Sequence, residues 1–202
     1  ITYQYDAVGN RLTKEESGPT TTYSYDATKQ IDTEETAAQV TTYSFDDNGN
    51  TSVVNAGGDL TTYSWNIENM CTGIELPDSS LNTFTYDANL VRRSAEDSDG
   101  LANFINDGQN VLQETDSGGT TQVAYTLEPQ TYGNLISQRR SGATNWHLFD
   151  GLGSTERLTD NNEDAPATYL HKAFGITSLL SGSSDNRYTW IGKLGYRWEP
   201  DA

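Results

Sequence analysis

Thr20-Thr-Thr-Tyr-Ser-Tyr-Asp26 decides the fold, because it returns along the chain. Ile1-Thr-Tyr-Gln-Tyr-Asp6 precedes it, and Thr41-Thr-Tyr-Ser-Phe-Asp46, Thr61-Thr-Tyr-Ser-Trp-Asn66 and Asn82-Thr-Phe-Thr-Tyr-Asp87 follow. The first aromatic of each copy is Tyr3, Tyr23, Tyr43, Tyr63 or Phe84, and the second is Tyr5, Tyr25, Phe45, Trp65 or Tyr86. The second aromatics recur at an interval of twenty residues three times and then of twenty-one, which is the signature of a repeat architecture. Within one copy Thr21, Tyr23 and Tyr25 alternate with Thr20, Thr22 and Ser24, a period of two in β-branched and aromatic residues that suits a pleated strand.

Each strand runs into a turn. In Asp6-Ala-Val-Gly-Asn10 and Asp46-Asp-Asn-Gly-Asn50 the Asp opens the turn and Gly9 or Gly49 supplies a positive φ near its end. Asp26 and Asp87 open the equivalent turns, but Lys29, Asn69 and Leu90 stand in the glycine's place. Asn tolerates the left-handed region, whereas Lys and Leu are strained there, so the second and fifth turns are expected to take another geometry. Leu12-Thr13 and Val53-Val54 read as return strands, and Gly18-Pro19 and Gly57-Gly58-Asp59 as links to the next copy. The unit is a β-hairpin. Two strands per repeat place equivalent rings about 9 to 10 Å apart, too far to stack, so Leu12, Ile31, Val53 and Ile74 are expected to fill the gaps. The Ser/Thr face is expected to be the wetter one.

The motif Tyr3-x-Tyr-Asp-x-x-Gly-Asn-Arg-Leu12 resembles the unit of the bacterial YD-repeat, or RHS-repeat, family. Phe149-Asp150-Gly151-Leu-Gly153-Ser154-Thr-Glu-Arg-Leu-Thr-Asp160, then Ala173-Phe174-Gly175 and Gly192-Lys-Leu-Gly-Tyr196, resemble that family's core-associated region. His171-Lys172 departs from the Tyr-Asp usual before Ala-Phe-Gly. The resemblance implies an all-β fold, an array of antiparallel β-hairpins in a curled, spiralling sheet, with residues 1–133 as repeats and 134–202 as the start of the core-associated region. It also implies a shell wall that encloses a C-terminal toxin domain or builds a large extracellular scaffold, in a secreted or cell-surface protein. In this family an aspartyl-type self-cleavage site follows the core-associated region. Arg197 and Asp201 are not placed to stand in for it, and the chain stops at Ala202, so no catalytic residue is expected.

Composition agrees with a thin shell. Hydrophobic residues make up 34% of the 202 residues, yet 12 Tyr, 5 Phe and 4 Trp provide large areas to bury. The formal net charge of −17 and the scattering of 12 basic residues exclude a nucleic-acid surface. Cys71 is the sole cysteine and forms no internal disulfide. No apolar run has the length of a membrane span, and the chain opens within a strand without a signal peptide, which reads as a fragment of a longer protein.

The rest of the chain continues in strands. Phe104 takes an aromatic position before Asn106-Asp107-Gly108; Val111–Glu114, Thr121–Tyr125, Trp146–Asp160 and Ala167–His171 with Ile176–Leu180 follow, and Tyr188-Thr-Trp-Ile-Gly192 reads as the last strand. His147 and His171 lack zinc-ligand spacing, and Asp46–Asn50 and Asp160–Asp164 lack the glycine and glutamate positions of a calcium loop, so no metal or cofactor is expected. Gly151–Thr155 has neither a phosphate-loop lysine nor a nucleophile-elbow frame. Glu15-Glu16, Glu34-Glu35 and Asp46-Asp47 are neighbours on strands or turns and read as solvated charge. The expected partners are the rest of the shell and a toxin domain, with association through open sheet edges. The rival reading is a carbohydrate- or protein-binding module using exposed aromatics; substituting Tyr25 and Phe45 by Ala separates it from a wall.

Overall fold

The computed structural model describes residues 1–199 and is almost wholly β, with eighteen strands and two short 3-10 turns among them. The chain divides into two compact units, Ile1–Asn82 and Thr83–Ala202.

The first unit is a meander of β1 (Thr2–Tyr5), β2 (Arg11–Glu15), β3 (Thr20–Tyr25), β4 (Ile31–Glu35), β5 (Val40–Phe45), β6 (Thr51–Ala56), β7 (Asp59–Trp65) and β8 (Cys71–Glu75), each antiparallel to the next. Directly opposed residues share a face. One face carries Tyr3, Lys14, Thr21, Tyr23, Glu34, Thr41, Tyr43, Val54, Thr61, Tyr63 and Ile74. The other carries Thr13, Thr22, Ser24, Thr33, Thr42, Ser44, Val53, Thr62 and Ser64 and is bound together by contacts such as Ser24 Oγ to Thr33 Oγ1 at 2.7 Å.

Each of these four hairpins has a β-bulge just after its turn. Tyr5 faces Arg11 while Gln4 faces Thr13, so Leu12 is the extra residue; Asp32, Ser52 and Thr72 occupy the same place in the next three. A bulge inverts the facing of every residue beyond it. The expected fillers are corrected accordingly. Ile31 and Ile74 lie on the ring face, across from Tyr25 and Tyr63, but Val53 is on the hydroxyl face and Val54 takes its place opposite Tyr43. Leu12, the bulged residue, is exposed.

In two copies the second aromatic reaches back to the preceding hairpin. Tyr25 Oη donates to the Arg11 carbonyl at 2.9 Å and Trp65 Nε1 to the Thr51 carbonyl at 2.8 Å, each spanning fourteen residues. At Tyr25 and Trp65 the ring is long enough to cross one strand spacing, with a polar tip that satisfies a backbone acceptor beyond it; Phe45 has no such tip and can contribute only its ring.

The turns are built alike. Oδ1 of Asp6, Asp26, Asp46 and Asp87 accepts the N–H groups two and four residues on, at 2.8 to 3.0 Å, and Asn66 does the same through its amide oxygen. The second and fifth turns do not escape positive φ: Lys29 stands at 71° and Leu90 at 61°, beside Gly9 at 94°, Gly49 at 84° and Asn69 at 59°. The carboxylate clamp and the closing bond, Lys29 N to Asp26 O at 3.2 Å or Leu90 N to Asp87 O at 3.0 Å, outweigh the strain of a side chain in that region.

The second unit continues the pattern with β9 (Leu81–Tyr86), β10 (Arg92–Asp97), β11 (Gly100–Asp107), β12 (Asn110–Thr115), β13 (Thr121–Leu127), β14 (Leu135–Arg140), β15 (Ala143–Phe149), β16 (Thr155–Thr159), β17 (Ala167–His171) and β18 (Thr177–Gly182). Here one face is buried: Phe84, Ala95, Phe104, Val123, Tyr125, Leu158 and Ala167 are each at most 8% exposed. Over Phe104, Val123 and Tyr125 lies the segment 183–199, which is not a strand: Arg197 covers Phe104, and Tyr188 packs with Val123 and Tyr125. Tyr188–Gly192, expected as the last strand, leaves the sheet: Ile191 is left-handed at φ 47°, and a 3-10 turn covers Gly192–Leu194. Adjacent Tyr188 and Thr189 are both buried, at 5% and 6%, which a strand with one wet face does not allow.

Candidate functional site

The strap 183–199 and the face beneath it hold a buried network of charged and phenolic groups. At its centre lies Glu114 on β12, only 5% exposed and directly across from Phe104. Tyr125 Oη donates to Glu114 Oε1 at 2.8 Å, and Arg197 Nε approaches the same oxygen at 3.4 Å. Arg197 also pairs with Glu199, whose other oxygen takes Arg92 Nη1 at 2.7 Å. The guanidinium carbons of Arg92 and Arg197 each lie 5.3 Å from the Phe104 ring centroid. A row of charges alternating Arg92, Glu199, Arg197, Glu114 is thus laid over an aromatic floor.

Electrostatics follow from burial and pairing. Burial alone would pull the Arg197 pKa down, but the charges of Glu114 and Glu199 outweigh it and hold the guanidinium more firmly protonated than usual. Burial, and then the Glu114 charge, push both Tyr125 and Tyr188 well above the ordinary phenol value. Tyr188 packs edge-on to Tyr125, centroids 5.1 Å apart, in a cluster with Val123 and Leu135. Towards the strap's beginning, Arg187 Nη1 meets Asp97 at 2.8 Å and Nη2 meets Asp99 at 2.5 Å. A polar cavity of about 470 Å³ lies beside these groups, lined by Asp97, Asp99, Glu114, Arg140, Arg187 and Arg197 among others.

The stretch 149–155 fastens the strap. Asp150 makes the same clamped turn as the repeats, to Leu152 N and Ser154 N at 2.9 Å, with Gly153 at φ 89°. Ser154 and Thr155 are wholly buried. Ser154 Oγ accepts Ile191 N at 3.2 Å, Thr155 N donates to the Thr189 carbonyl at 2.8 Å, Thr155 Oγ1 donates to the Tyr188 carbonyl at 2.6 Å, and Lys193 N donates to the Gly153 carbonyl at 3.0 Å. Because the Thr155 hydroxyl hydrogen is committed to Tyr188, His147 Nδ1, 3.2 Å away, is the donor to Thr155 Oγ1. Burial lowers the His147 pKa to about 4.

The sequence-marked residues therefore have two fates. Phe149, Asp150, Gly151, Gly153 and Ser154 come together as the latch. Gly175, at φ 90°, lies against Trp190, its Cβ position 3.4 Å from the indole, while Phe174 is 62% exposed. The repeat residues Tyr3 to Asp87 are spread along successive hairpins and do not converge on one point. Asp201 lies outside the described residues. Sequence reading missed Glu114, Thr155, Arg187 and Tyr188 and gave Arg197 no part. The available signal was the end of two-fold alternation at Ser183-Ser-Asp-Asn186. Among the described residues no group of three or more His, Cys, Asp or Glu is placed to hold a metal ion, and no helix is long and apolar enough to cross a membrane.

No family model matches the chain. No curated protein matches it either. Among solved structures, the crystal structure of TcdB2-TccC3-TEV aligns over 94% of this chain at 13% identity with a TM-score of 0.51. A structure of the Photorhabdus luminescens Tc holotoxin pore carrying a TccC3 mutation aligns over 92% at 15% identity, also at 0.51. The fold is shared. The chain spans 14% of the length of each of those chains.

Proposed function

We propose that this chain is a stretch of wall from an RHS/YD-repeat shell, whose whole encloses a C-terminal toxin domain or forms a large extracellular scaffold in a secreted or cell-surface protein. The observation that carries this reading is the hairpin module itself. It repeats every twenty residues, ties to its neighbour through Tyr25 and Trp65, and extends without needing a closed interior. The fold shared with the Tc toxin structures and the motif resemblance support the same reading. In it the chain performs no reaction, and Glu114, Arg197 and the 149–155 latch are structural. Cryo-electron microscopy of the full-length parent polypeptide tests it: a hollow β-shell with these hairpins in its wall is expected, and a solid globular or open rod-like particle overturns it.

One feature favours a second reading, a carbohydrate- or protein-binding module. A cleft of about 620 Å³ is lined by Tyr169, Trp190, Tyr196 and Trp198, and Tyr196 and Trp198 are 63% and 53% exposed. Tyr25→Ala and Trp198→Ala together separate the two: lost thermal stability in Tyr25→Ala goes with a wall, whereas retained stability with lost glycan or partner binding in Trp198→Ala goes with a module.

A further inference from the structure

The Phe104–Glu114–Tyr125 arrangement has a counterpart in Ile1–Asn82. Tyr23 stands directly across from Glu34, as Phe104 does from Glu114. Tyr43 Oη donates to Glu34 Oε2 at 3.3 Å, as Tyr125 Oη does to Glu114. In each case the ring, the carboxylate and the tyrosine come from three consecutive strands, β3, β4 and β5 or β11, β12 and β13. In the second unit Arg197 fills the place these groups define. In the first, Glu34 enters no ion pair among the described residues; Arg11, 4.1 Å from the centroid of the buried Tyr23 ring, takes the part that Arg92 takes beside Phe104, and Glu34 and Tyr43 next to it stay half-buried, so the place of Arg197 is the one with no counterpart. Residues 1–82 carry 13 carboxylates against 3 basic side chains.

We propose that Tyr23, Glu34 and Tyr43 form a receptor for an arginine side chain carried on an extended segment of a partner polypeptide, laid across the ring face as 183–199 is laid across its own. A flat guanidinium suits the place better than an ammonium, because it lies against a ring while donating two parallel hydrogen bonds to a carboxylate. The acidic surroundings favour a cationic segment and make its binding weaken with salt. The inference stands independently of the shell reading.

The test is an NMR titration of the whole 202-residue chain with a synthetic peptide reproducing residues 195–198, acetylated and amidated. Shifts are expected at Tyr23, Glu34 and Tyr43. Glu34→Gln, checked for an unchanged near-ultraviolet spectrum, should weaken binding about tenfold, and so should the same peptide with lysine in place of arginine. The proposal is overturned if the shifts fall only on β11–β13, if no shifts appear at Tyr23 and Tyr43, or if the lysine peptide binds as well as the arginine one.

Discussion

The two units use one hairpin grammar to opposite ends. In Ile1–Asn82 no segment like 183–199 covers the ring face among the described residues; Tyr23 is buried beneath Arg11, but Tyr43 and Tyr63 remain half-buried. In Thr83–Ala202 the chain doubles back, and Tyr188 and Arg197 close over Phe104, Val123 and Tyr125, leaving each of these three rings or side chains at most 8% exposed. The difference teaches that a hairpin array of this kind does not require a conventional core; a core arises where a strap and a latch create one. The same trio of ring, glutamate and tyrosine then behaves in two ways. Half-exposed, as at Glu34, it is a surface feature; sealed, as at Glu114, it must be paired.

The largest expected effect tests that difference directly. Arg197→Ala strands Glu114 in a buried site and should cost about 3 to 5 kcal/mol, whereas Glu34→Ala should change stability by no more than about 0.5 kcal/mol. Denaturation followed by hydrogen exchange in β11–β13 and β3–β5 measures both, and equal losses would erase the distinction. The next effect concerns acid. His147 is buried neutral, so its folded pKa of about 4 lies below the ordinary 6.5. The unfolded chain then takes up a proton that the folded chain refuses. Stability is therefore complete above about pH 6.5 and falls as the pH drops from there toward 4, by up to about 3 kcal/mol. His147→Phe should abolish this slope. Both histidines lie in the second unit, so exchange in β1–β8 should stay unchanged across that window. The turn carboxylates act lower: hydrogen bonds to Asp46, first from the Asn50 side chain, and to Asp26, first from the Thr28 hydroxyl, hold both below the usual 3.8, so their contribution is lost only as the pH falls below that range.

Most of the fold was legible because the repeat leaves so little freedom. Aromatics in two-fold alternation give strands, Asp with a positive-φ residue three places on gives the turn, and the interval gives the stacking order. Two things were hidden. The bulge beyond each turn has no single residue signature: it falls on Leu12, Asp32, Ser52 and Thr72, an aliphatic, a carboxylate and two hydroxyls, so counting alternation straight through the turn set Val53 on the wrong face. The strap was hidden because Tyr188-Thr-Trp-Ile reads as a strand locally, and only tertiary bonds from Ser154 and Thr155 pull it off the sheet. The 149–155 motif was recognisable as a turn, but its task as a latch depends on residues more than thirty positions away.

Smaller effects sharpen the contrast further. Thr155→Val keeps the latch's shape but leaves the Tyr188 carbonyl to Asn186 Nδ2 alone and takes the acceptor from buried His147 Nδ1, which should cost about 1 to 3 kcal/mol and speed exchange across 186–195 before any other segment. Uniform acceleration over the whole second unit would mean that strap and sheet open together. Smallest of all, Lys29→Gly and Leu90→Gly should each raise stability by up to about 1 kcal/mol, since glycine meets their positive φ without strain. Thermal melts that drop in both variants would show that side-chain contacts, and not the Asp clamp, hold those turns.

Hydroxyl-radical footprinting of aromatic side chains on the intact chain reads the covered and uncovered faces in one experiment. Tyr43 and Tyr63 should oxidise readily while Phe104, Tyr125 and Tyr188 stay protected, and Arg197→Ala should expose the latter three without changing the former two. Equal oxidation of both sets in the unaltered chain would contradict the claim that the strap seals one ring face and leaves the other open.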